Sequence, residues 1–328
     1  MRLRQATLQD RRVRRTGPKA LRQSPSCQWT IGGPVSLDGI GVHTAQPARV
    51  TLHPADASAG LVFHRTGLTG GDVFIPAHAT NVVSTALATR LAPAGDVQAG
   101  VGTVEHVLAA LSALGIDNAL IEVDGPEVPI LDGSARPFVE AILAAGIVAQ
   151  RRPRRVLQIL EPVRVEAGEA FAEFLPGGPG LTIDVAIDYA DPAVGRQRRV
   201  FALDPATFSG DIAPARTFGF VADVERLWRA GFALGSSLEN TVAIADGRIL
   251  NAAGLRAPDE FVRHKILDAI GDLALAGAAI QGTFRSFRGG HALNHAALVA
   301  LLAHRDAWRL CDAGAIGRRV PESRTAIA

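Results

Sequence analysis

The stretch DEFVRHKILDAIGD, residues 259–272, decides the reading of the fold. Helical spacing puts His264, Asp268 and Asp272 four apart, stacked on one side. Val262, Ile266, Ala269, Ile270 and Leu273 gather on the opposite side, so a helix over 259–276 with an apolar back is predicted. Unpaired carboxylates facing a core are costly, so the polar stripe must face either water or something positive. A solvated face is the ordinary outcome for charges on a helix. Phe261 on the same side argues against it, and a His-x-x-x-Asp pair matches the reach of one metal ion.

Outward from this helix, the second half of the chain reads as strands broken by short helices. VLQILEPVRVEAG and AFAEFLP suggest a hairpin, LTIDVAIDY a strand, and NTVAIADGRIL a strand and turn. PATFSGDIA, DVERLWRAGF and HAALVALLAHRDAW look helical. The first half has the same plan. ARVTLHP alternates as a strand should, and AGLVFHRT and NALIEV read as further strands. GTVEHVLAALSALGIDN is a helix with Thr103 as its N-cap and Gly115 as its stop; ARPFVEAILAAGI is another. The charged, proline-broken segment QRRPRRV, residues 150–156, is the best linker. The expected fold is α+β, with two similar domains at 28–150 and 151–318. Each would be a small sheet covered by about two helices, with the site between them. A basic extension is expected over 1–27 and a tail over 319–328.

Composition sets the bounds. The chain has 328 residues, is 48% hydrophobic and 20% charged, and has only 5% aromatics, so its cores are built mostly from Ala, Val, Leu and Ile. No apolar run reaches the roughly 18–20 residues that a membrane span needs. Cys27 and Cys311 are far apart and lack metal-site spacing, which suits a reducing cytoplasm. The net charge of +2 misleads, because residues 1–25 hold eight basic side chains against Asp10, leaving the remainder at −5. That balance gives no reason to expect nucleic acid as a partner. The tail has no apolar core and is not a signal peptide; it reads as a disordered extension, an upstream start or a basic contact arm.

Two further stretches bear on the stripe. TVEHVLAAL puts Glu105 and His106 at the start of an apolar helix. With His264 and Asp268 they supply two imidazoles, one carboxylate and a spare Glu, which is the inventory of a hydrolytic zinc site. The single-helix H-E-x-x-H arrangement is absent, so the ligands would come from both halves. In RSFRGGHALN, His291 follows two glycines. It is either an ordinary loop residue or a general acid, with Asp272 to orient it.

Taken together, GIGVHT, TVEHVLAAL, GIDNALIEVDGPEVPILDGSARPFV, ARTFGF, LNAAGLRAPDEFVRHKILDAIGDL and GGHALN strongly resemble the UDP-3-O-acyl-N-acetylglucosamine deacetylases, zinc amidases of bacterial lipid A synthesis. The resemblance runs from about residue 28 to 315. It implies that His106, His264 and Asp268 bind Zn2+, that Glu105 is the general base, and that His291 is the general acid with Asp272 behind it. It further implies that Thr217 helps hold the oxyanion. Lys265 and Arg288 would meet the negative UDP-sugar, and Phe218, Phe220 and Tyr189 would contact the sugar or nucleotide. The family fold is two β-α-α-β domains, with insertions that form an acyl-chain passage; NTVAIADGRIL is the expected wall of that groove.

The chain departs from the family pattern in two places. Ala45 stands where a glycine is frequent, and GSSLEN, with Ser236, Ser237 and Glu239, replaces a stretch with paired glycines and an Asp. Neither touches the expected ligands. The implied protein is a cytoplasmic, monomeric enzyme acting on acylated UDP-GlcNAc, without stable membrane insertion. Imidazole and carboxylate ligands accept Fe2+ as well as Zn2+. A non-haem Fe(II) oxygenase uses the same ligand types but has no need of Glu105 and His291, and a non-catalytic nucleotide-sugar binder would need neither.

Overall fold

The computed structural model describes residues 26–315, so nearly all of the basic extension expected over 1–27, and the tail expected over 319–328, lie outside the described residues. The chain is mixed α and β, with several sheets and few helices. The alternation in ARVTLHP forms the strand Pro47–Pro54, which turns Ala48, Val50 and Leu52 inward. Its sheet has five strands in the order Val35–Ile40, Pro47–Pro54, Ala119–Val123, Leu61–Arg65, Val73–Pro76. Only the pairing of Leu61–Arg65 with Ala119–Val123 is parallel.

A seven-stranded sheet is drawn from residues 155–312 and built around Ala279–Phe287. That strand runs parallel to Arg155–Ile159 at its start and to Leu181–Asp188 along the rest, and antiparallel to Ala170–Leu175. The expected hairpin is Val163–Ala167 with Ala170–Leu175. A third, three-stranded sheet joins Phe218–Phe220, Val242–Ala245 and Arg248–Ile249.

The helices are α1 (Glu105–Ala113), α2 (Arg136–Ala145), the short α3 (Pro205–Thr207) and α4 (Val224–Arg229), α5 (Glu260–Leu273) and α6 (His291–Ala303). Buried apolar residues of both halves join one cluster, and α1 packs directly on α5 within it. Gly271 makes that approach possible: a Cβ there would overlap the carbonyl oxygen of Glu105. The glycine of LDAIGD thus brings the first turn of α1 against the polar stripe of α5.

Two local expectations are corrected. Residues 150–156 are not an open linker: Ile147–Pro153 is a strand paired antiparallel with Cys27–Ile31, and Arg155 opens the next strand. Arg154, between them, is held locally, with its Nε 2.9 Å from Asp117 Oδ1. Thr103 does not cap α1. The cap position is Val104, without a side-chain bond, while Thr103 has φ +55° and donates its hydroxyl to Glu127. Gly115, with φ +72°, follows the end of α1 as expected.

Candidate metal centre

The stripe on α5 is not solvated. His264 and Asp268 are each 2% exposed and Asp272 3%. The first turn of α1 buries Glu105 and His106 against them, and His291, the first residue of α6 rather than part of a loop, is buried on the other side. Donor atoms of His106, His264 and Asp268 all lie within 4.8 Å of one another.

The hydrogen bonding among these groups asks for a cation. His264 donates Nδ1–H to the carbonyl oxygen of Ala215 at 3.1 Å. Burial, only partly opposed by Asp268, pushes its pKa down to about 4, so the ring is neutral and its lone pair sits on Nε2. That lone pair lies 3.3 Å from Asp268 Oδ1, and His106 Nε2 lies 3.7 Å from the same oxygen. Asp268 Oδ1 has no hydrogen-bond partner although it is buried, while Oδ2 accepts from Lys265 Nζ at 2.9 Å. Burial alone would raise the Asp268 carboxyl, but the positive charges of Lys265 and His291 work against it and hold it well below the usual range. A carboxylate oxygen facing an imidazole lone pair is repulsive unless a positive charge lies between them. Two imidazoles and one carboxylate suit a divalent transition metal, and the carbonyl on the far nitrogen of His264 is the outer contact that such ligands ordinarily have.

Around this trio stand three more titratable groups, His291, Asp272 and Glu105. His291 Nδ1 donates to Asp272 Oδ2 at 2.9 Å, which turns Nε2 to within 3.8 Å of Glu105 Oε1 and 3.9 Å of Asp268 Oδ2. Burial disfavours a charged His291, yet Asp272, Glu105 and Asp268 overcome it and raise its pKa to about 10. Glu105 is raised above the ordinary carboxylate value, chiefly by burial. Two partners escaped the sequence reading. Thr89 donates its backbone N–H to Glu105 Oε2 at 3.1 Å and its hydroxyl to Asp272 Oδ1 at 2.6 Å. Asn294 Nδ2 donates to Asp272 Oδ2 at 2.9 Å. Asn294 belongs to GGHALN, where a residue three after His291 shares its helix face; Thr89 carries no signal in the sequence.

His106, His264, Asp268, Glu105 and His291 open into a cavity of about 270 Å³ that is also lined by Tyr189, Thr217, Phe218, Phe220 and Lys265. Tyr189 packs on Phe218 and Phe220 at ring separations of 5.6 and 5.8 Å. The Thr217 hydroxyl makes no hydrogen bond among the described residues, and Arg226, which the sequence reading passed over, lines the same cavity. A second cavity of about 130 Å³ shares Leu87, Glu105, His106, Thr217 and Phe218 and adds Val42, Ile130 and Ala233. From NTVAIADGRIL only Thr241 reaches it. Arg288 is not brought to either cavity: its guanidinium is paired with Asp188 and Glu169. Larger hollows of about 500 and 460 Å³ lie elsewhere, but neither gathers metal-ligating side chains.

Residues 28–303 match the family described as LpxC: UDP-3-O-acyl N-acetylglycosamine deacetylase. The chain belongs to the UDP-3-O-acyl-N-acetylglucosamine deacetylase family. Relatives of that name from Brucella ovis, Brucella canis and Brucella melitensis are 49% identical over 287 residues, covering 87% of this chain and 99% of theirs. The deacetylase match takes in both α1 and α5, and so every side chain of the centre. Among the described residues no helix is long and apolar enough to cross a membrane.

Proposed function

We propose that the protein is a Zn2+-dependent amidase. It would hydrolyse the N-acetyl group of UDP-3-O-[(3R)-3-hydroxyacyl]-N-acetylglucosamine to acetate and UDP-3-O-acyl-glucosamine, the committed step of lipid A synthesis. The observation that carries this reading is the unpartnered Asp268 Oδ1 between two imidazole nitrogens, with Glu105 and His291 beside it. His106, His264 and Asp268 hold the ion. When bound, Zn2+ supplies a Lewis acid that polarises the amide carbonyl and acidifies water.

The chain's own groups do the rest. Glu105, raised by burial, takes the proton of the attacking water. The Thr217 hydroxyl donates to the carbonyl oxygen as it becomes an anion. His291 gives its Nε2 proton to the departing amine, which an amide cannot release unprotonated; Asp272 keeps that proton in place and aimed at the centre. Phe218, Phe220 and Tyr189 contact the sugar and nucleotide. Lys265, bonded to Asp268, and Arg226, bonded to Asp223, line the cavity as cations for the diphosphate, whereas Arg288 lies outside it, paired with Asp188 and Glu169. The smaller cavity is the start of the acyl passage.

In this reading the halves at 28–150 and 151–318 are β-α-α-β domains, contributing α1 with α2 and α5 with α6. The enzyme works as a cytoplasmic monomer on a small molecule, without nucleic acid. Fe2+ fills the same ligands, and Glu105 with His291 favours hydrolysis over oxygen chemistry. Mass spectrometry of acetate release from acylated UDP-GlcNAc tests the proposal. Release by the Zn2+-loaded protein and none after chelation is expected; oxygen consumption without acetate would reject it.

A further inference from the structure

Two of the sequence motifs, GIGVHT and GPEVPILDGS, have no part in the chemistry described above, yet they meet at one carboxylate. Glu127 is 3% exposed, and no salt bridge holds its carboxylate among the described residues. It accepts instead from Thr103 Oγ1 at 2.8 Å, Thr44 Oγ1 at 2.7 Å, Thr44 N at 2.7 Å, and His43 N at 3.2 Å. Gly41 leaves the room for this, because a Cβ at that position would overlap Glu127 Oε2.

The donors belong to two segments that matter for different reasons. Thr103 stands just before Glu105 and His106, and its φ of +55° is a conformation a β-branched residue does not adopt unaided. Val42 and His43 of segment 41–46 line the cavity beside Glu105 and His106, as does Thr103. The segment reaches on to the second half of the chain: Ala233 N donates to His43 Nδ1 at 3.3 Å, Leu234 N to the His43 carbonyl at 3.1 Å, and Gly235 N to the Val42 carbonyl at 3.0 Å.

We propose that Glu127 is a positioning residue that fixes the start of α1, with its base and first metal ligand, against the 41–46 wall of the substrate cavity. The carboxylate needs only acceptor oxygens to hold all these donors. An amide at the same place turns one of its ends into a donor facing donors. A shift of about 1 Å between base and substrate costs on the order of a hundredfold in rate.

The activity arm of the test rests on the deacetylase reading; the exchange arm does not. In Glu127→Gln, amide hydrogen exchange should rise at least about tenfold together in 41–46 and 101–107, since a lost charge-assisted bond is a factor of that order. Metal content should stay near wild type, and kcat should fall about 10–100-fold with KM moving less than about threefold. Thr103→Val should reproduce both effects in part, and Thr103→Ser, which keeps the hydroxyl, should restore them. If Glu127→Gln does not fold, Thr103→Val decides alone. Exchange that rises in one segment only, rises uniformly with unchanged kcat, or ignores the Thr103 hydroxyl overturns the proposal. A wild-type protein inactive on acylated UDP-GlcNAc would defeat the deacetylase reading and leave the exchange result to judge Glu127.

Discussion

His291 is bonded to Asp272 through Nδ1 at 2.9 Å, and this leaves Nε2 3.8 Å from the Glu105 carboxylate. The groups proposed as acid and base therefore sit side by side, each held from behind, with Thr89 donating to Glu105 and to Asp272. In the proposed mechanism the group that must give a proton and the group that must take one are kept apart in protonation state by their surroundings.

Glu105→Ala should lose about 10²–10⁴-fold in kcat while keeping its metal, because Glu105 is not one of the three donors that converge. Single-turnover kinetics and metal analysis of the same preparation check it. Turnover near wild type would remove Glu105 from the role of base.

The pH profile of kcat/KM should be bell-shaped. Glu105 must be deprotonated, and its pKa is raised, so activity rises with pH through a value above that of an ordinary carboxylate. His291 must be protonated, and its pKa is raised to about 10, so activity falls as pH climbs towards that value. A bound divalent cation repels the imidazolium and brings this limb lower. Asp272→Asn removes the strongest attraction on His291 and should move the upper limb further down. An upper limb that stays in place would show that another group titrates there.

Asp268→Ala should abolish metal retention, since the residue supplies the one oxygen between the two imidazoles. Metal added to the stripped wild-type protein should raise Tm by the linkage of binding to folding, and the variant should show no such rise. Equal metal content after gel filtration would disprove the ligand assignment.

Stability should carry a separate acid dependence, one helical turn before His264. Glu260, wholly buried at the start of α5, accepts from Arg216 Nε at 2.8 Å and Nη2 at 3.0 Å and from the backbone N–H of Arg216 and Arg256. Burial works against the charge, but these donors prevail and its pKa lies below the ordinary value. A depressed carboxyl stabilises fully above its unfolded pKa of about 4.3 and loses that contribution as pH falls through the folded value. Glu260→Gln should cost about 3–5 kcal/mol at neutral pH, with the gap between variant and wild type narrowing in acid. Urea unfolding at pH 7 and pH 4 measures both; a pH-independent gap would contradict it.

The buried polar stripe was legible because helical period alone stacks His264, Asp268 and Asp272, and no core tolerates them without a reason. Glu105 and His106 were legible as charges at the mouth of an apolar helix. Arg288 was not, because the acids that neutralise it, Glu169 and Asp188, are remote in sequence and meet it only across the sheet. Thr103 had the composition of a cap but spends its hydroxyl on Glu127, a partner fixed by tertiary structure. The supposed linker failed for a similar reason: Pro153 ends an edge pairing rather than breaking the chain into a loop.

The contact of α1 with α5 has a consequence in time. His106 leaves the ribosome well before His264 and Asp268, so the proposed ligands can meet only after the later helix is made and Gly271 has come up against Glu105. If they hold an ion as proposed, its capture must follow the synthesis of α5. Retained metal would then report that synthesis had passed α5, and a chain truncated before it would leave the ion in solution.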